Sequence, residues 1–571
     1  MIYGLIKKNT YQDSVNLMVL SSKLSDLDGI NKVSIMMGTP ANIGIFKNTE
    51  MYVEEFSQAG PNDICISVDT DDNGLVSMIA GELDNFIKEL STKSSGSKLM
   101  VSRTLDSALK SLPGANLALI SIPGEYVYKE ADRLLDRNIN TFIFSDNVSK
   151  EDEKKLKDKA HTKGLLVMGP DCGTGILSNI PLAFANIVPK GNIGVVGASG
   201  TGIQEITSVI GRNGGGVSHA IGIGGRDLYE EIGGVSAIDA LYMLNRDENT
   251  DVIVFISKPP APTVRDKIIE TFKTLDKNVV ALFLGEKPLG EEKNINYVWT
   301  IEQAALKALL IANETREYRS QIEGIKEKLE KIRNNIVQRK INGFFGGGTL
   351  AGEAAILLKD HFDIKDDIKK EGYMLNFEGH EIIDFGDDMY TKGRPHPMID
   401  PKTRVDAINN LINKDDIAIV LFDNVLGYGS NEDMAGALAP SIINVIKTKR
   451  AKGEEILFIA SVCGTEEDIQ SYSSQVEKLM DAGVLVLDTN AKASYMAIEA
   501  LEYINGNRKF KIENDNADLF LNNEIGVINI GLENFAKTIL KHNGKVVQYN
   551  WAPIAGGDKK MQNLLDKLNS F

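Results

Sequence analysis

The sequence is poor in the residues that build disulfide scaffolds, metal motifs and membrane spans. Only three cysteines occur in 571 residues, and Cys65, Cys172 and Cys463 lie too far apart for a zinc spacing or a disulfide framework. No apolar run reaches transmembrane length. The opening stretch Met1–Lys8 lacks the apolar segment of a secretory signal. A reducing, cytoplasmic location is therefore expected. Basic residues are outnumbered, 63 against 79, for a net charge of −16, and no long basic block occurs. Nucleic acid and anionic membrane are accordingly poor partners.

What is present is an alternation. Apolar strand runs and amphipathic helix patterns follow one another almost throughout, which predicts α/β domains with parallel sheets. The length requires several cores. The spacing predicts a small N-terminal domain over 1–95, with strands near Val33–Met37 and Asp63–Val68, and then a Ser-rich linker. A second unit is expected over 99–188, a third over 190–312, a charged helical connector over 313–340, a fourth unit over 341–508 and a small C-terminal region over 520–571. In the connector Ile322, Ile325, Leu329, Ile332 and Ile336 recur three and four apart, which predicts one apolar stripe.

Two turns carry the strongest chemical signal. Residues 192–205 read as a buried strand running into Ser199, Gly200 and Thr201 at the start of a helix. The first amides of a helix have no intrahelical acceptor and sit at the positive end of its dipole, so a turn of glycine and hydroxyl residues admits a phosphate or carboxylate; the same residues also suit an ordinary N-cap. Residues 341–353 echo this pattern, with Gly347, Gly348 and Thr349 at the turn and an early glutamate, Glu353, to match Glu205. The echo suggests an internal duplication. Gly224 and Gly225, at the end of another strand, could turn backbone amides toward a phosphate or serve only the turn.

The densest polar segment runs from Gly379 to Pro401 and holds His380, Glu381, Asp384, Asp387, Asp388, Arg394, His396 and Asp400. Three prolines between 395 and 401 exclude a regular element there. Arg394 could clamp a carboxylate or phosphate, and His396 could exchange a proton near neutral pH. Asp400 completes the catalytic candidates; the alternative is a loop whose Asp400 and His396 cap neighbouring backbone. Asp387 and Asp388 have no diagnostic metal spacing. Asp423, at the end of the strand near Ile417–Phe422, and Glu205 are candidates for orienting a ligand. Ser102-Arg103-Thr104 reads mainly as an N-cap, and Cys172 as a small turn residue.

The order of these motifs resembles the α-subunit of succinyl-CoA synthetase: Gly169-Pro170-Asp171-Cys172, then Ser199-Gly200-Thr201 with Glu205, then Gly222–Gly225, then Ile253–Ile256. The fourth unit resembles the CoA-ligase domain of that enzyme's β-subunit. Segments 386–388, 393–401, 426–429 and the tail 529–553 are similar to the FdrA family, fused proteins usually labelled acyl-CoA synthetases. The resemblance implies an α/β fold of several Rossmann-like and flavodoxin-like parallel-sheet domains in tandem, with a small α+β N-terminal region and a small C-terminal tail domain. It makes 99–188 the CoA-binding-like unit, and CoA and Mg2+ the candidate cofactors, with no metal ligands assigned.

Two departures shape the expected chemistry. The synthetase's phosphohistidine segment corresponds to Gly285–Gly290, which has no histidine, and Ser257-Lys258-Pro259 replaces the glutamate that would hold it. No ATP-grasp domain is recognisable. What the resemblance leaves is a pair of facing helix starts around a free phosphoryl ligand. The first expectation is thus a transferase subunit using carbamoyl or acyl phosphate and a small carboxylate acceptor, as in oxamate carbamoyltransferase of allantoin breakdown. Separately encoded partner subunits and an oligomer go with it. The alternatives are an acyl-CoA synthetase that borrows a nucleotide-activating partner, and an anion-binding scaffold without catalysis.

Overall fold

The computed structural model describes residues 1–551 apart from Tyr11, Asp13, Asp26, 95–99, 313–325, Ile336, Gly393 and 506–525. The N-terminal domain is antiparallel. Strand Ile64–Thr70 lies between Ile2–Lys7 and Ile30–Met37, and helices Ser14–Ser25 and Asn73–Ser94 cover one face. This is the small α+β region expected there, and its edge strand Ile2–Lys7, half-exposed, pairs in register from Ile2–Asp69 to Lys7–Ile64.

The second sheet has six parallel strands in the order Met100–Ser102, Lys545–Tyr549, Gly526–Ile530, Leu117–Ile120, Asn140–Ile143 and Val167–Met168. The C-terminal region is therefore not a separate tail domain but the middle of this sheet. The reason is burial: Leu117–Ile120 is fully enclosed and needs a neighbour on each edge, which Val527, Ile528 and Ile530 supply. Trp551 then packs on Tyr126, ring centroids 4.9 Å apart.

The third sheet has eight strands. Ile295–Tyr297, Asn278–Phe283, Val252–Ser257, Lys190–Gly197 and Val217–Gly222 run parallel, and the hairpin Thr174–Leu177/Ile180–Ala183 adds antiparallel strands at one edge. That hairpin lies within 99–188 and yet belongs to the third sheet. Its turn residues Ser178 and Asn179 both have positive φ, 48° and 66°, which suits a two-residue hairpin turn.

The fourth sheet runs Tyr373–Phe377, His380–Asp384, Lys340–Phe345, Ile417–Val425, Leu457–Cys463, Leu485–Leu487, with only the first pair antiparallel. Leu329 and Ile332 of the connector helix Lys326–Asn334 are buried, while Ile322, Ile325 and Ile336 lie outside the described residues.

The third and fourth units share one core: Ile203, Ile206 and Val209 join Leu350, Ala354 and Ala497 in a single apolar cluster. The second and third units are tied by charge. Lys157 Nζ, wholly buried, donates to Glu153 at 2.9 Å, Asp227 at 2.7 Å and the Ile223 carbonyl at 3.1 Å. Among the described residues no helix is long and apolar enough to cross a membrane.

Candidate functional site: two facing helix starts

Strand Lys190–Gly197 delivers the chain to Ser199, which caps helix Gly200–Arg212 by accepting the Gly202 N–H at 3.1 Å. Gly202 is a steric necessity and Gly200 a close fit. A Cβ on Gly202 would lie 2.6 Å from Ile256 Cδ1, and one on Gly200 would lie 3.0 Å from Thr174 Oγ1. Strand Lys340–Phe345 makes the matching approach, and helix Gly348–His361 starts at Gly347 without a side-chain cap. The Ser199 and Thr349 hydroxyls are hydrogen-bonded to each other, and a Cβ on Gly347 would lie 3.1 Å from Thr201 Cγ2. The two helix starts thus meet face to face, bringing together Ser199, Gly200, Thr201, Gly347, Gly348 and Thr349.

The echo extends below the turns. Glu205, in the Gly200 helix, accepts the Asn490 backbone N–H at 3.0 Å at the start of helix Asn490–Asn505. Glu353, in the Gly348 helix, accepts the Ile301 N–H at 2.8 Å at the start of helix Ile301–Ile311, and the Asn490 side-chain amide at 2.8 Å. Each glutamate lies five residues past its glycine, and each caps a neighbouring helix from within the shared core. Burial raises both carboxyls, that of Glu353 to about 7. Glu205 therefore serves the unit interface rather than a ligand at the turn: its carboxylate is committed to the Asn490 amide.

The Gly348 start is lined with carboxylates. Asp423 accepts the Gly346 and Gly347 N–H groups at 2.8 and 2.7 Å, with Arg404 3.5 Å from its Oδ1 and bonded to its carbonyl. Asp423 therefore orients its own glycine turn, because that turn's amides are its nearest donors. Asp384, at the end of its strand, packs so closely on Gly348 that no side chain fits there, and accepts the Gly386 N–H at 2.8 Å. Burial pushes the Asp384 carboxyl up to about 6, against the pull of the Gly386 amide and Lys258.

A second wall comes from the turn Gly169-Pro170-Asp171. Gly224, with φ +80°, packs on the Pro170 carbonyl, and Gly225 faces Asp171 Oδ2. Gly224 thus serves a close backbone contact rather than an open phosphate loop. Asp171 is open to solvent yet walled in, and burial in that recess, with Asp146 nearby, raises its carboxyl to about 6; Lys258 and Arg226 oppose the shift. Lys258 follows strand Val252–Ser257, whose Ile256 carbonyl accepts the Ala198 N–H at 3.0 Å. An exposed lysine at this position faces both Asp171 and Asp384 electrostatically.

The 379–401 segment is less uniform than its composition suggests. His380 lies in strand His380–Asp384 and accepts the Ile341 N–H at 3.3 Å. Asp387 caps the short turn Asp388–Thr391, and Asp400 accepts the Lys402 N–H at 3.0 Å, so both serve local backbone. Arg394 is exposed, and the structure does not bring it to Asp384 or His396. His396 does reach the site. A Cβ on Gly386 would lie 2.8 Å from His396 Nε2, 3.0 Å from Asp384 Oδ1 and 3.1 Å from the Gly346 carbonyl. The proton exchange expected of it at neutral pH is not available, because burial and the Arg404 guanidinium lower the imidazole to about 4.

The sequence pattern passed over Arg404 and Lys258 as site residues. Arg404 sits in an ordinary helix, Lys402–Asn410, with no local signal. Lys258 carried one, as the residue after a buried strand. Thr104 caps its helix as read, and burial drives the Cys172 thiol up to about 12, an inert turn residue. At Gly285–Gly290, Glu286 pairs with Arg265 at 2.9 Å. Among the described residues no group of three or more His, Cys, Asp or Glu side chains is placed to hold a metal ion.

Comparison with known proteins agrees with this architecture. The uncharacterized protein YahF of Escherichia coli K12 is 40% identical over 507 residues, which cover 86% of this chain and 97% of that protein. The chain belongs to this FdrA-like family, within the succinyl-CoA synthetase superfamily. Family models match residues 344–500 as a CoA-ligase, 189–285 as a CoA binding domain and 1–101 as the AllF heavy metal-associated domain. The CoA-binding match thus falls on the third unit rather than on 99–188. The succinate–CoA ligase α-subunit of Aquifex aeolicus is 28% identical over 193 residues, 32% of this chain and 61% of that subunit. SauD of Bilophila wadsworthia, an ADP-forming sulfoacetate-CoA ligase subunit, is 24% identical over 33% of this chain and 65% of its own. The chain spans about three fifths of these subunits. Two of the three family matches, over 189–285 and 344–500, are thus to CoA-handling families.

Proposed function

We propose that this FdrA-like chain performs the acyl-transfer half of an acid–thiol ligase of the succinyl-CoA synthetase kind, on an acyl phosphate held between the Gly200 and Gly348 helix starts. The observation that carries the reading is the hydrogen bond between the Ser199 and Thr349 hydroxyls, which sets two glycine-built helix starts against each other. The free amides of such starts suit a phosphoryl group. The CoA sulfur attacks the acyl carbonyl carbon, the bond from that carbon to the bridging phosphate oxygen breaks, and inorganic phosphate leaves, the thiol proton passing to it by way of solvent. Ser199, Gly200 and Thr201 receive the departing phosphate, and Lys258 offsets its charge. The chemistry is then mostly positioning and stabilisation of charge.

CoA enters as a substrate, and the start of helix Gly124–Asp136, which has no side-chain cap, is offered to its phosphates. Nucleotide-driven formation of the acyl phosphate falls to a separately encoded partner subunit, since Gly285–Gly290 carries no histidine to relay a phosphoryl group.

That same missing histidine favours a second reading, in which the ligand arrives already phosphorylated as carbamoyl phosphate and its carbon passes to a small carboxylate acceptor such as oxamate. Calorimetry on the full chain separates the two. Binding of both inorganic phosphate and CoA supports the ligase, and phosphate or carbamoyl phosphate binding without CoA supports the carbamoyl reading. A chain that binds no phosphate compound, alone or with its partner subunits, has neither function.

A further inference from the structure

His396 is held in one tautomer. Its Nδ1 accepts the Met398 backbone N–H at 3.2 Å, so Nδ1 carries a lone pair and the ring's single proton sits on Nε2. The loop fixes that choice: the Ile399 and Asp400 N–H groups bond to the His396 carbonyl at 2.8 and 3.0 Å, a tight turn that brings the Met398 amide back to the ring. Nε2 borders the same space beside Gly386 as Asp384 Oδ1 and the Gly346 carbonyl, atoms of the residues that shape the Gly348 helix start. Gly386 has to lack a side chain for the ring to lie there.

We propose that His396 acts as a fixed Nε2–H hydrogen-bond donor to an oxygen of the acyl or phosphoryl group at the Gly348 helix start, and not as a nucleophile or a proton shuttle. The proposal deepens the function proposed above and rests on the ligand site named there. A nucleophilic imidazole needs its lone pair on the attacking nitrogen, and here the lone pair is spent on the Met398 amide. The charged groups packed around the ring agree with this role. Arg404, from helix Lys402–Asn410, opposes a second proton, while Asp384 borders the same space beside Gly386 and Asp423 holds the Gly346 and Gly347 amides. A neutral donor adds no charge where two carboxylates already stand. It complements the helix amides, which the same geometry aims at a developing oxyanion.

Two measurements on the full chain test it. Long-range 1H–15N spectra of the histidines, with His396→Gln to assign the signal, should show a neutral imidazole with the proton on Nε2 from pH 8 down to pH 5. A proton on Nδ1, or a midpoint between pH 6 and 7, overturns the proposal whatever the ligand is. Inorganic phosphate is then titrated by calorimetry. Glutamine places an N–H close to where Nε2–H stands, so His396→Gln should bind phosphate within about threefold of the unaltered chain, while His396→Ala and His396→Asn lose tenfold or more. Equal loss in all three variants, or acid-labile phosphate trapped on His396 after incubation with acetyl phosphate, also overturns it. If the unaltered chain binds no phosphate while the Nε2 tautomer is found, the function proposed above fails and the tautomer stands.

Discussion

The starts of helices Gly200–Arg212 and Gly348–His361 are built alike and charged differently. Both follow a buried parallel strand, both need glycine for steric reasons, and both send a glutamate five residues on to cap a neighbouring helix. At the Gly200 start a neutral hydroxyl, Ser199, takes one amide, and the cation Lys258 stands on the adjacent strand end. At the Gly348 start a carboxylate, Asp423, takes two amides, and a second, Asp384, crowds the first turn. The repeated motif thus carries a hydroxyl and a cation at one start and two carboxylates at the other. The lesson is that a glycine-rich helix start offers amides, and its neighbours decide whether an anion reaches them.

The largest break in this comparison is Asp423→Ala. It strips the Gly346 and Gly347 amides of their acceptor and leaves Arg404 buried without its carboxylate, a loss of about 3–5 kcal/mol of stability. Urea unfolding checks it, and a change under about 1 kcal/mol would show that the carboxylate does not hold the turn.

Next comes Asp384→Asn, which removes the negative charge from the Gly348 start. Sulfate, whose charge is constant from pH 5 to 8, should bind several-fold more tightly to the variant at pH 8, and about equally at pH 5, where Asp384 already carries its proton. Stability follows the same group. Its folded carboxyl sits at about 6, above about 3.9 in an unfolded chain, so its contribution is fully present below about pH 4 and is lost as pH rises through 6. Asp384→Asn should flatten that part of the stability profile; an unchanged slope between pH 4 and 7 would assign the pH dependence to Glu353 and Asp171 instead.

Gly200→Ala sharpens the contrast from the other side. Its Cβ would meet only Thr174 Oγ1, at 3.0 Å, so the fold adjusts, whereas Gly348→Ala drives into Asp384. Thermal melts should therefore show the larger drop for Gly348→Ala, by about 1–3 kcal/mol. Smallest is Ser199→Ala, which deletes an N-cap and the link to Thr349, for about 1 kcal/mol in chemical unfolding. A cost no greater than that of an exposed serine elsewhere would mean that the hydroxyl pair is incidental.

Much of this was legible in the chain. The buried strands before Ser199 and Gly347 were visible as apolar runs such as Ile193–Val196, because a strand covered on both faces must be apolar at every position. The glycine turns were visible as composition. The polar segment 379–401 was legible only as a concentration of polar residues, and composition does not say which side chains a fold turns inward. Asp387 and Asp400 turned to their own backbone, Arg394 to solvent, and His396 inward. The second sheet was the least legible, since its central strands Gly526–Ile530 and Lys545–Tyr549 lie some 400 residues from Leu117–Ile120, and pairing at that distance leaves no local trace.

By itself the sequence determined the strand and helix periods, the two glycine-and-hydroxyl helix starts and the absence of a histidine at Gly285–Gly290. These are local matters, set by steric freedom at glycine and by which residues tolerate burial. Only the tertiary structure decided that the two starts face each other, that Asp423 and Asp384 occupy one of them and not the other, and that the Met398 amide fixes the proton of His396. Those outcomes depend on distances of a few ångström between residues remote in the chain, and it is at such distances that charge and hydrogen bonding acquire their strength.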